Sequence, residues 1–530
     1  MTLPTKKQAM TTTSTTDFGT ISVAAILAES ARRTPDSTAL IVGDDDITYA
    51  NLWDETRAYA GALRSRGIGP GDAVAVLIPN VPDFARVYYA ILALGAVVVP
   101  VHALLKAREI DYVLQDSGAR MLICAAPLLT EGAAGAQGTG IDVLTVMAPD
   151  DGGLPRLEAE AAASAPIDTY IPCHPSDTAT ILYTSGTTGK PKGALGTHFA
   201  LVEQTSVLLT SVMDFKPGDV LFGGLPLFHT FGQTVVLNAG LRAGATVVLM
   251  PRFSGEGALQ LMDRHNVNIF LGVPTMYVAL LEAAKTSQVR PSALRYGISG
   301  GASLPLAVME KFLDVFGIDI HEGYGLTETS PVAAFNHVGT PPRPGTIGTA
   351  IWGVDIEIAR AETVESIELL PRGELGELVI RGHLLMKGYL NRPEATAEAI
   401  VDGWFRTGDL GTKDGDGYLR IVDRKKDMII RNGYNVYPRE VEEILLTHPQ
   451  VVSAAVYGVP HEVHGQEVAA AIVLDAGATA TDAELIAFAS AQLAAYKYPR
   501  IIRLLSELPL GPSGKILKRN LAAEPAGAEA

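Results

Sequence analysis

The feature that most constrains this chain is a loop rich in glycine, serine and threonine. Its residues are Tyr183-Thr184-Ser185-Gly186-Thr187-Thr188-Gly189-Lys190-Pro191-Lys192-Gly193. Residues 178–182 ahead of it form an apolar run that predicts a short strand, and residues 198–209 behind it have the spacing of a helix. Glycines let successive backbone amides converge on one anion, while hydroxyls and lysines add donors and positive charge. The loop is therefore predicted to hold the phosphates of a nucleotide.

This loop differs from the phosphate loop of kinases and GTPases, which requires the pattern G-x-x-x-x-G-K-[ST]. Here Gly186 stands three residues before Gly189, and a proline follows Lys190. A plain surface loop of the same composition is the alternative interpretation. The choice between the two depends on the motifs that follow in the chain.

Length and composition limit the class of protein. A chain of 530 residues exceeds one ordinary hydrophobic core, so two or more domains are expected. Hydrophobic residues make up 47% and charged residues 19%, which is typical of a soluble globular enzyme. The net charge of −16 argues against nucleic acid as a partner, because binding phosphates along a strand needs clustered lysine and arginine.

The cysteines and the apolar segments indicate the compartment. Cys124 and Cys173 belong to no CxxC pair, so neither a disulfide framework nor a thiolate zinc site is predicted, and a reducing, cytoplasmic setting fits best. Residues 1–16 lack an apolar run and do not resemble a secretory signal. Residues 87–105 carry no charged side chain, but Gly95 and Pro100 interrupt them. This favours a buried helix followed by a buried strand over an integral membrane segment.

The order of predicted elements indicates an α/β fold. Helices are predicted at 21–33 and 51–66, and strands and helices then alternate, which is typical of βαβ units and a parallel sheet. The alternating segments are 71–79, 83–94, 97–101, 107–117 and 121–125, and after the glycine loop 220–223, 233–241, 246–249, 255–265 and 269–272. No internal repeat of fixed period occurs.

Beyond Arg343 the pattern changes. Residues 374–382 alternate and are punctuated by glycine, which predicts antiparallel β-structure. From Asp423 the chain predicts a compact α+β unit of about 100 residues. Its predicted elements are helices at 438–448 and 482–493 and strands at 451–458, 467–474 and 501–504. The predicted division is a disordered arm at 1–18, an N-terminal domain at 19–422, a mobile C-terminal domain at 423–520 and a disordered tail at 521–530.

Two further motifs carry side chains suited to nucleotide and metal chemistry. The first is His321-Glu322-Gly323-Tyr324-Gly325-Leu326-Thr327-Glu328-Thr329-Ser330-Pro331. It offers an aromatic face for a base, a hydroxyl for a phosphate and a carboxylate of the kind that Mg²⁺ prefers. The second is Trp404-Phe405-Arg406-Thr407-Gly408-Asp409-Leu410, in which the two oxygens of Asp409 can accept from both ribose hydroxyls. A turn with a solvated carboxylate is the alternative interpretation of each.

Several weaker motifs are ambiguous when taken alone. His229 lies in Pro226-Leu227-Phe228-His229-Thr230-Phe231-Gly232, where a packed core histidine is the ordinary interpretation. The glycine-rich segments 271–277 and 299–305 could form a floor under a flat purine or an acyl chain. Near the C-terminus lie the segments 421–427, 431–438 and 512–516, the last reading Pro512-Ser513-Gly514-Lys515-Ile516.

Together and in this order, the motifs resemble those of the adenylate-forming superfamily, which includes acyl-CoA synthetases, free-standing adenylation domains and luciferases. The resemblance extends from Ile47 to Lys515. Within the superfamily, the chain most resembles the fatty-acid–CoA ligases. It implies an α/β fold with a large N-terminal domain of layered α/β subdomains, a β-rich part and a small mobile α+β C-terminal domain. It also implies ATP, Mg²⁺ and coenzyme A as cofactors.

The resemblance implies a role for each matched residue. Lys515 would hold the carboxylate and the α-phosphate, Lys426 would be the hinge of the rotating domain, and Gly433 would let pantetheine pass. The expected catalytic residues are Lys515, Thr184, Glu328 and His229, with Glu328 as the metal ligand. The expected cofactor-binding residues are Thr184, Ser185, Gly186, Thr187, Thr188, Lys192, Gly301, Ala302, Glu322, Gly323, Tyr324, Gly325, Thr327, Asp409, Arg424, Lys426 and Gly433. The expected acid-pocket residues are His229, Phe231, Gln233, Gly300, Gly301, Tyr324, Gly325 and Val332.

We therefore predict an AMP-forming acid–thiol ligase that makes an acyl-adenylate and then an acyl-CoA thioester. Thr230 stands where an amino-acid-activating domain would carry an aspartate, and residues 353–407 leave no room for the insertion of ligases that serve carrier proteins. Adenylation of a non-carboxylate oxyacid such as nitrite, with an amine acceptor, remains open. So does a homodimer. A binding protein that has lost activity is disfavoured because Glu328, Asp409 and Lys515 are all present.

The acid itself is the least explicit part of the prediction. No lysine or arginine falls among the expected pocket residues, so dicarboxylic acids are expected to be poor substrates. The strings 104–109 and 433–440 favour a medium- or long-chain fatty acid, with an aryl acid as the alternative if Phe231 or Tyr324 closes the pocket. One departure stands out: fatty-acid ligases often carry Asn-Pro before Leu-Leu-Lys, whereas this chain has His102-Ala103.

Overall fold

The computed structural model describes residues 19–149, 153–184, 190–511 and 516–523. The predicted arm at 1–18 and most of the predicted tail lie outside the described residues. The fold is α/β, as predicted, with two large, mostly parallel sheets, one antiparallel sheet and a smaller C-terminal sheet. Within the described residues, no helix is long and apolar enough to cross a membrane.

The first large sheet has six strands and carries the glycine loop at its edge. In spatial order its strands are Asp142–Val146, Met121–Ala125, Ala73–Leu77, Val97–Pro100, Thr178–Thr184 and Lys192–Thr197. All pairs are parallel except the last, which is an antiparallel hairpin. Helix Pro82–Ala93 and strand Val97–Pro100 are buried almost completely, as predicted, but residues 102–105 beyond the strand are partly or fully exposed.

The second large sheet has nine strands and supplies the other wall of the site. In spatial order they are Thr349–Ala350, Val332–Phe335, Ile320–Gly325, Tyr296–Ser299, Ile269–Gly272, Val220–Gly223, Thr246–Leu249, Thr38–Val42 and Asp45–Thr48. The six central strands are parallel, and the strands added at both ends are antiparallel. Because parallel strands end at one edge, the residues that follow them collect there.

Helices cover both sheets and form the core with them. The α-helices are Ala25–Arg33, Tyr49–Ser65, Pro82–Ala93, Ala107–Ser117, Leu129–Ala136, Leu157–Ala163, His198–Val207, Ala239–Ala243, Gly255–Arg264, Pro274–Thr286, Leu306–Phe316, Pro393–Ala399, Pro438–Leu446, Asp482–Ser490 and Lys518–Ala523. Short 3₁₀-helices occur at Ala126–Leu128 and Thr327–Thr329. Most bounds lie within a few residues of the predicted ones, as expected where helix ends fray.

The remaining two sheets make up the C-terminal part of the chain. The third is antiparallel, as predicted, with strands Val354–Ala359, Gly376–Gly382, Trp404–Lys413, Ile400–Val401 and Leu419–Arg424. The fourth contains Tyr434–Val436, Ile429–Arg431, Gly465–Leu474, Val451–His461 and Ile501–Leu504 and has its own apolar core. Asp423 thus lies inside a strand of the third sheet, and the division into domains stays a prediction.

One local prediction about a helix needs correction, and one strand was not predicted. The strand Lys192–Thr197 lies between the glycine loop and the predicted helix at 198–209, which is present, and it pairs back onto Thr178–Thr184. The predicted helix at 233–241 is a wider π-helix over Phe231–Asn238 followed by the α-helix Ala239–Ala243, and a second π-helix, Leu208–Val212, extends the helix after His198. Such insertions often occur at functional sites, where they turn side chains away from the α-helical spacing.

Candidate active site

The glycine loop closes a β-hairpin. Thr184 and Lys192 pair across its mouth, so both side chains lie at the rim of the loop, whose residues Ser185, Gly186, Thr187 and Thr188 fall outside the described residues. A Cβ on Gly193 would come within 2.7 Å of Ile181, so the hairpin needs glycine there to pack. The ammonium of Lys192 lies 5.2 Å from the centre of the Tyr389 ring, which is within cation–π range.

Tyr389 connects this rim to Glu328. Its hydroxyl donates to Oε1 of Glu328 at 2.8 Å, and burial together with the carboxylate raises the pKa of the phenol, so it stays a donor. Glu328 is buried in the turn Thr327–Thr329, and its carbonyl accepts from the amide of Met386 at 2.9 Å. Among the residues that the structure describes, none donates to Oε2 of Glu328. The remaining oxygen is a hard donor of the kind that suits Mg²⁺.

A second cluster forms around Asp409. The hydroxyl of Tyr324 donates to Oδ2 at 2.6 Å, and Nε of Arg424 lies 3.3 Å from Oδ1. Burial, and then the charge of Asp409, raise the pKa of Tyr324 well above its usual value. The three residues come from two different sheets, and the structure brings them together as the sequence motifs imply. A carboxylate held in this way presents oxygens to a pair of neighbouring hydroxyls.

The strand segment that carries Asp409 is held by residues that the sequence prediction missed. Glu377 accepts from the amide of Gly408 at 3.0 Å, and its other oxygen pairs with Arg406 at 3.0 Å, with both side chains almost fully buried. Gly408 has φ of +72°, which favours glycine. Neither Glu377 nor Tyr389 stands in a recognised motif. The one signal in the sequence was an acidic residue in a strand that otherwise alternates.

Three residues of the predicted acid pocket line one small cavity. His229, Phe231 and Gly301 line a cavity of about 10 Å³, room for about one water molecule. The Phe231 ring covers Gly300, since a Cβ on that glycine would lie 3.2 Å from ring atom Cε1. Gln233 is buried in the same π-helix as Phe231, and neither polar atom of its side chain has a partner among the described residues.

The floor of the site depends on glycines that cannot be enlarged. A Cβ on Gly325 would come within 1.7 Å of the Pro331 carbonyl oxygen, and Gly325 pairs with the buried Val332 across the strand edge. Gly323 packs in the same way against the Phe335 ring, at 2.6 Å. Ala302 is exposed beside Gly301, so this part of the floor is open.

Glu322 is a buried carboxyl in the middle of the site. It is 3% exposed, and its Oε1 accepts from the amide of Leu304 at 3.3 Å. Burial raises the pKa of Glu322 to about 7, an effect opposed by the charge of Arg439 and by the Leu304 amide and increased by Glu443. Arg439 and Glu443 belong to the helix Pro438–Leu446. The protonation of Glu322 is therefore sensitive to that helix.

This pKa predicts a pH dependence of stability. Because the folded chain binds this proton more tightly than the unfolded chain, the stabilisation is present below about pH 4.5 and is lost as the pH rises through about 7. The Glu322→Gln variant is expected to remove this component, on the order of 3 kcal/mol between pH 5 and 8. Urea unfolding at several pH values measures it, with Glu310→Gln as a surface control. An unchanged slope in Glu322→Gln would contradict the expectation.

The predicted residues of the C-terminal part lie in different settings. Burial and the neighbouring Arg424 lower the pKa of Lys426, which follows the third sheet directly. Gly433 has φ of +79° and open space around it. Lys515 lies outside the described residues, and the neighbouring described residues Leu510 and Ile516 pair in an isolated β-bridge.

The chain matches two models of known protein families. The family model described as AMP-binding enzyme matches residues 27–390, and the model of the AMP-binding enzyme C-terminal domain matches residues 440–515. A long-chain-fatty-acid–CoA ligase of Bacillus subtilis (strain 168) is 35% identical over 528 residues, covering 94% of each chain. A feruloyl-CoA synthase of Amycolatopsis sp is 38% identical over 490 residues, covering 92% of this chain and 96% of that protein.

Solved structures show the same fold. ATP-bound MatB from Rhodopseudomonas palustris aligns with a TM-score of 0.86 at 33% identity, covering 94% of this chain and 98% of its own. An anthranilate CoA ligase in complex with anthranoyl-AMP aligns with a TM-score of 0.88 at 28% identity, covering 95% of this chain and 96% of its own. The matching proteins differ in their acids.

Proposed function

This chain belongs to the AMP-binding enzyme family and is an acid–CoA ligase, and on that premise we propose that its acid is a medium- or long-chain fatty acid. The observation that carries the activity is the convergence of two clusters, Asp409 with Tyr324 and Arg424, and Glu328 with Tyr389, beside the glycine hairpin. The similarity to fatty-acid–CoA ligases supports the choice of acid.

The reaction solves a problem of leaving groups. A carboxylate is a poor electrophile because its oxygens share the negative charge and its oxygen would have to leave as hydroxide or oxide. Attack of the carboxylate on the α-phosphorus of ATP expels pyrophosphate and forms an acyl-adenylate. A thiol of coenzyme A then attacks the acyl carbon, and AMP leaves with its bonding electrons while the thiol proton is lost to solvent.

The residues of this chain divide that work. Asp409 binds the ribose hydroxyls, with Tyr324 and Arg424 fixing its oxygens, and the hairpin rim with Thr184 and Lys192 holds phosphate. Glu328, oriented by Tyr389, would hold Mg²⁺, which neutralises charge on the phosphates when bound. Lys515 holds the carboxylate and the α-phosphate while negative charge builds on the phosphorus.

One observation favours a second candidate acid. Phe231 covers Gly300 and leaves a cavity of about 10 Å³, which is too small for an acyl chain unless the ring moves. A pocket that stays closed at this depth would accept a compact aryl acid. The similarity to a feruloyl-CoA synthase supports this alternative.

An acid series decides between the candidates. Pyrophosphate release and thioester formation are measured from acetate to palmitate, beside benzoate, cinnamate and ferulate, with and without coenzyme A. With a fatty acid as substrate, kcat/KM is expected to rise by about fourfold per added carbon, from about 0.8 kcal/mol per buried methylene, and then to level off. Absence of any rise, with turnover of aryl acids, would overturn the fatty-acid proposal.

Two arms of the same experiment sharpen the result. The Phe231→Ala variant is expected to raise kcat/KM for long acids more than for acetate, since it removes the ring over Gly300. Nitrite with an amine acceptor is included in place of acid and coenzyme A. If nitrite supports pyrophosphate release and none of the carboxylic acids does, the choice of a carboxylate substrate is overturned.

A further inference from the structure

A group of metal-ligating side chains lies outside the site described above, at the tip of the C-terminal hairpin. Strands Val451–His461 and Gly465–Leu474 pair in antiparallel fashion, and the turn between them carries His464. His461, His464 and Glu467 each place one ligand atom within 4.8 Å of the others. We refer to these three residues as the hairpin-tip cluster. Two imidazoles and a carboxylate are a donor set that Zn²⁺ accepts.

The ring of His464 is already set for metal binding. Its Nδ1 lies 2.9 Å from Oδ1 of Asn432, and because an amide oxygen only accepts, Nδ1 carries the proton. The neutral ring then keeps a lone pair on Nε2. Metal-ligating histidines commonly have such a partner on the other nitrogen, which fixes both the tautomer and the ring orientation.

His461 faces His464 and would bind the metal ion through Nδ1. The two rings stack with centroids 4.4 Å apart and planes inclined by 15°. Nδ1 of His461 accepts from the amides of Val463 and His464 at 3.2 Å each, so the lone pair of the neutral ring is on Nδ1. Both contacts are long, and a metal ion can replace them without removing a proton.

Glu467 is an ionised carboxylate in a fixed position. It is buried, and Arg431 binds it through two hydrogen bonds of 2.6 and 3.0 Å. The amide of Val468 also donates to Oε1 of Glu467, at 2.9 Å. A carboxylate has about four lone-pair sites, so it can bind a cation as well. The charge of Arg431 makes the site weaker than one built for a structural metal.

A hydrogen bond connects the hairpin-tip cluster to the segment that contains Asn432 and Gly433. The side-chain oxygen of Asn432 contacts the His464 ring. The backbone amide of Asn432 donates to the His464 carbonyl at 3.0 Å. The next residue, Gly433, is exposed, has φ of +79° and is surrounded by open space. A metal ion on His464 would therefore restrain the segment 432–433, beside which the family resemblance has pantetheine pass.

We propose that the hairpin-tip cluster is a regulatory site for a divalent transition-metal ion of the Zn²⁺ class, which slows thioester formation by restraining Asn432 and Gly433. The regulatory part rests on the proposed function, whereas metal binding does not. Adenylate formation is expected to be unaffected, since the glycine hairpin and Asp409 belong to other sheets and Glu328 lies in the turn Thr327–Thr329.

Binding is tested by calorimetric titration of the full-length protein with Zn²⁺, and with Co²⁺ followed by its visible absorption. One equivalent is expected to bind to the wild type. The His461→Gln and His464→Gln variants are expected to lose at least tenfold in affinity, with His337→Gln as a control at a histidine far from the cluster. Absence of stoichiometric binding, or equal affinity in His464→Gln, would overturn the site. Neither reading depends on the acid substrate.

Regulation is tested on the two half-reactions separately. Supplied acyl-adenylate and coenzyme A report thioester formation, and pyrophosphate release reports adenylation, each at increasing free Zn²⁺. Thioester formation by the wild type is expected to slow several-fold more than thioester formation by His464→Gln. Zn²⁺ removes the same amount of free coenzyme A in both assays, so this removal cancels in the comparison. Equal slowing of both proteins would overturn the regulatory role, and so would equal slowing of both half-reactions.

Discussion

Replacing Lys515 with alanine is expected to slow adenylate formation by about 10²–10³-fold, the usual cost of removing one preorganised group that faces developing negative charge. Thioester formation from supplied acyl-adenylate should change far less. The physical reason is that, by the resemblance, the lysine would contact the α-phosphate only in the first half-reaction and would move away with the rotating domain. Stopped-flow pyrophosphate release and a separate thioester assay measure the two steps.

Lys518 provides a matched control for this variant. It lies three residues further along, is partly buried and pairs with Glu442 at 2.6 Å. Lys518→Ala removes the cationic partner of Glu442, so we expect a lower melting temperature and a similar change in both half-reactions. If Lys515→Ala also lowers both half-reactions equally, the assignment of the lysine to one stage is wrong.

The second large effect is expected at Glu328. Glu328→Gln should raise the Mg²⁺ concentration needed for half-maximal activity by about 100-fold or more, because it removes the carboxylate charge while keeping the shape. Tyr389→Phe removes only the hydrogen bond of 2.8 Å that orients this carboxylate. Losing such an outer partner costs about 10–100-fold in metal affinity, so a smaller shift, about tenfold, is expected.

The Mg²⁺ dependence of pyrophosphate release measures both variants. The order of the effects is informative: Glu328→Gln should exceed Tyr389→Phe, and Glu310→Gln on the surface should match the wild type. Unchanged Mg²⁺ dependence in Glu328→Gln would remove this residue from the metal role. An equal loss of activity at every Mg²⁺ concentration would assign Glu328 to folding instead.

The sequence determined the local elements of this fold well. Helix Ala107–Ser117 and strands Met121–Ala125 and Ile269–Gly272 have the predicted bounds. Each depends on interactions between neighbours in the chain or on a short apolar run between turn residues, which a sequence pattern reports directly. The family also followed from the sequence, because an ordered set of short motifs is itself a sequence property, and the family models confirmed it.

Elements that depend on distant partners were not visible in the sequence. Strand Lys192–Thr197 contains two glycines and gave no strand signal, and it exists because Thr178–Thr184 pairs with it. The π-helix Phe231–Asn238 has the composition of an α-helix, and its width depends on what packs around it. In both cases tertiary packing overrides local preference.

Only the tertiary structure decided which side chains assist the motif residues. Tyr389 lies 61 residues from Glu328, and Glu377 lies 31 residues from Gly408. A motif marks a residue whose side chain must be of one chemical type. The partner of that residue only has to lie next to it in space, so it can come from an element far away in the chain. The closure of Phe231 over Gly300 is likewise a packing result between a π-helix and a strand end. For this reason the sequence determined the chemistry of the candidate site, and the folded structure decided the size of the cavity beside His229 and Phe231.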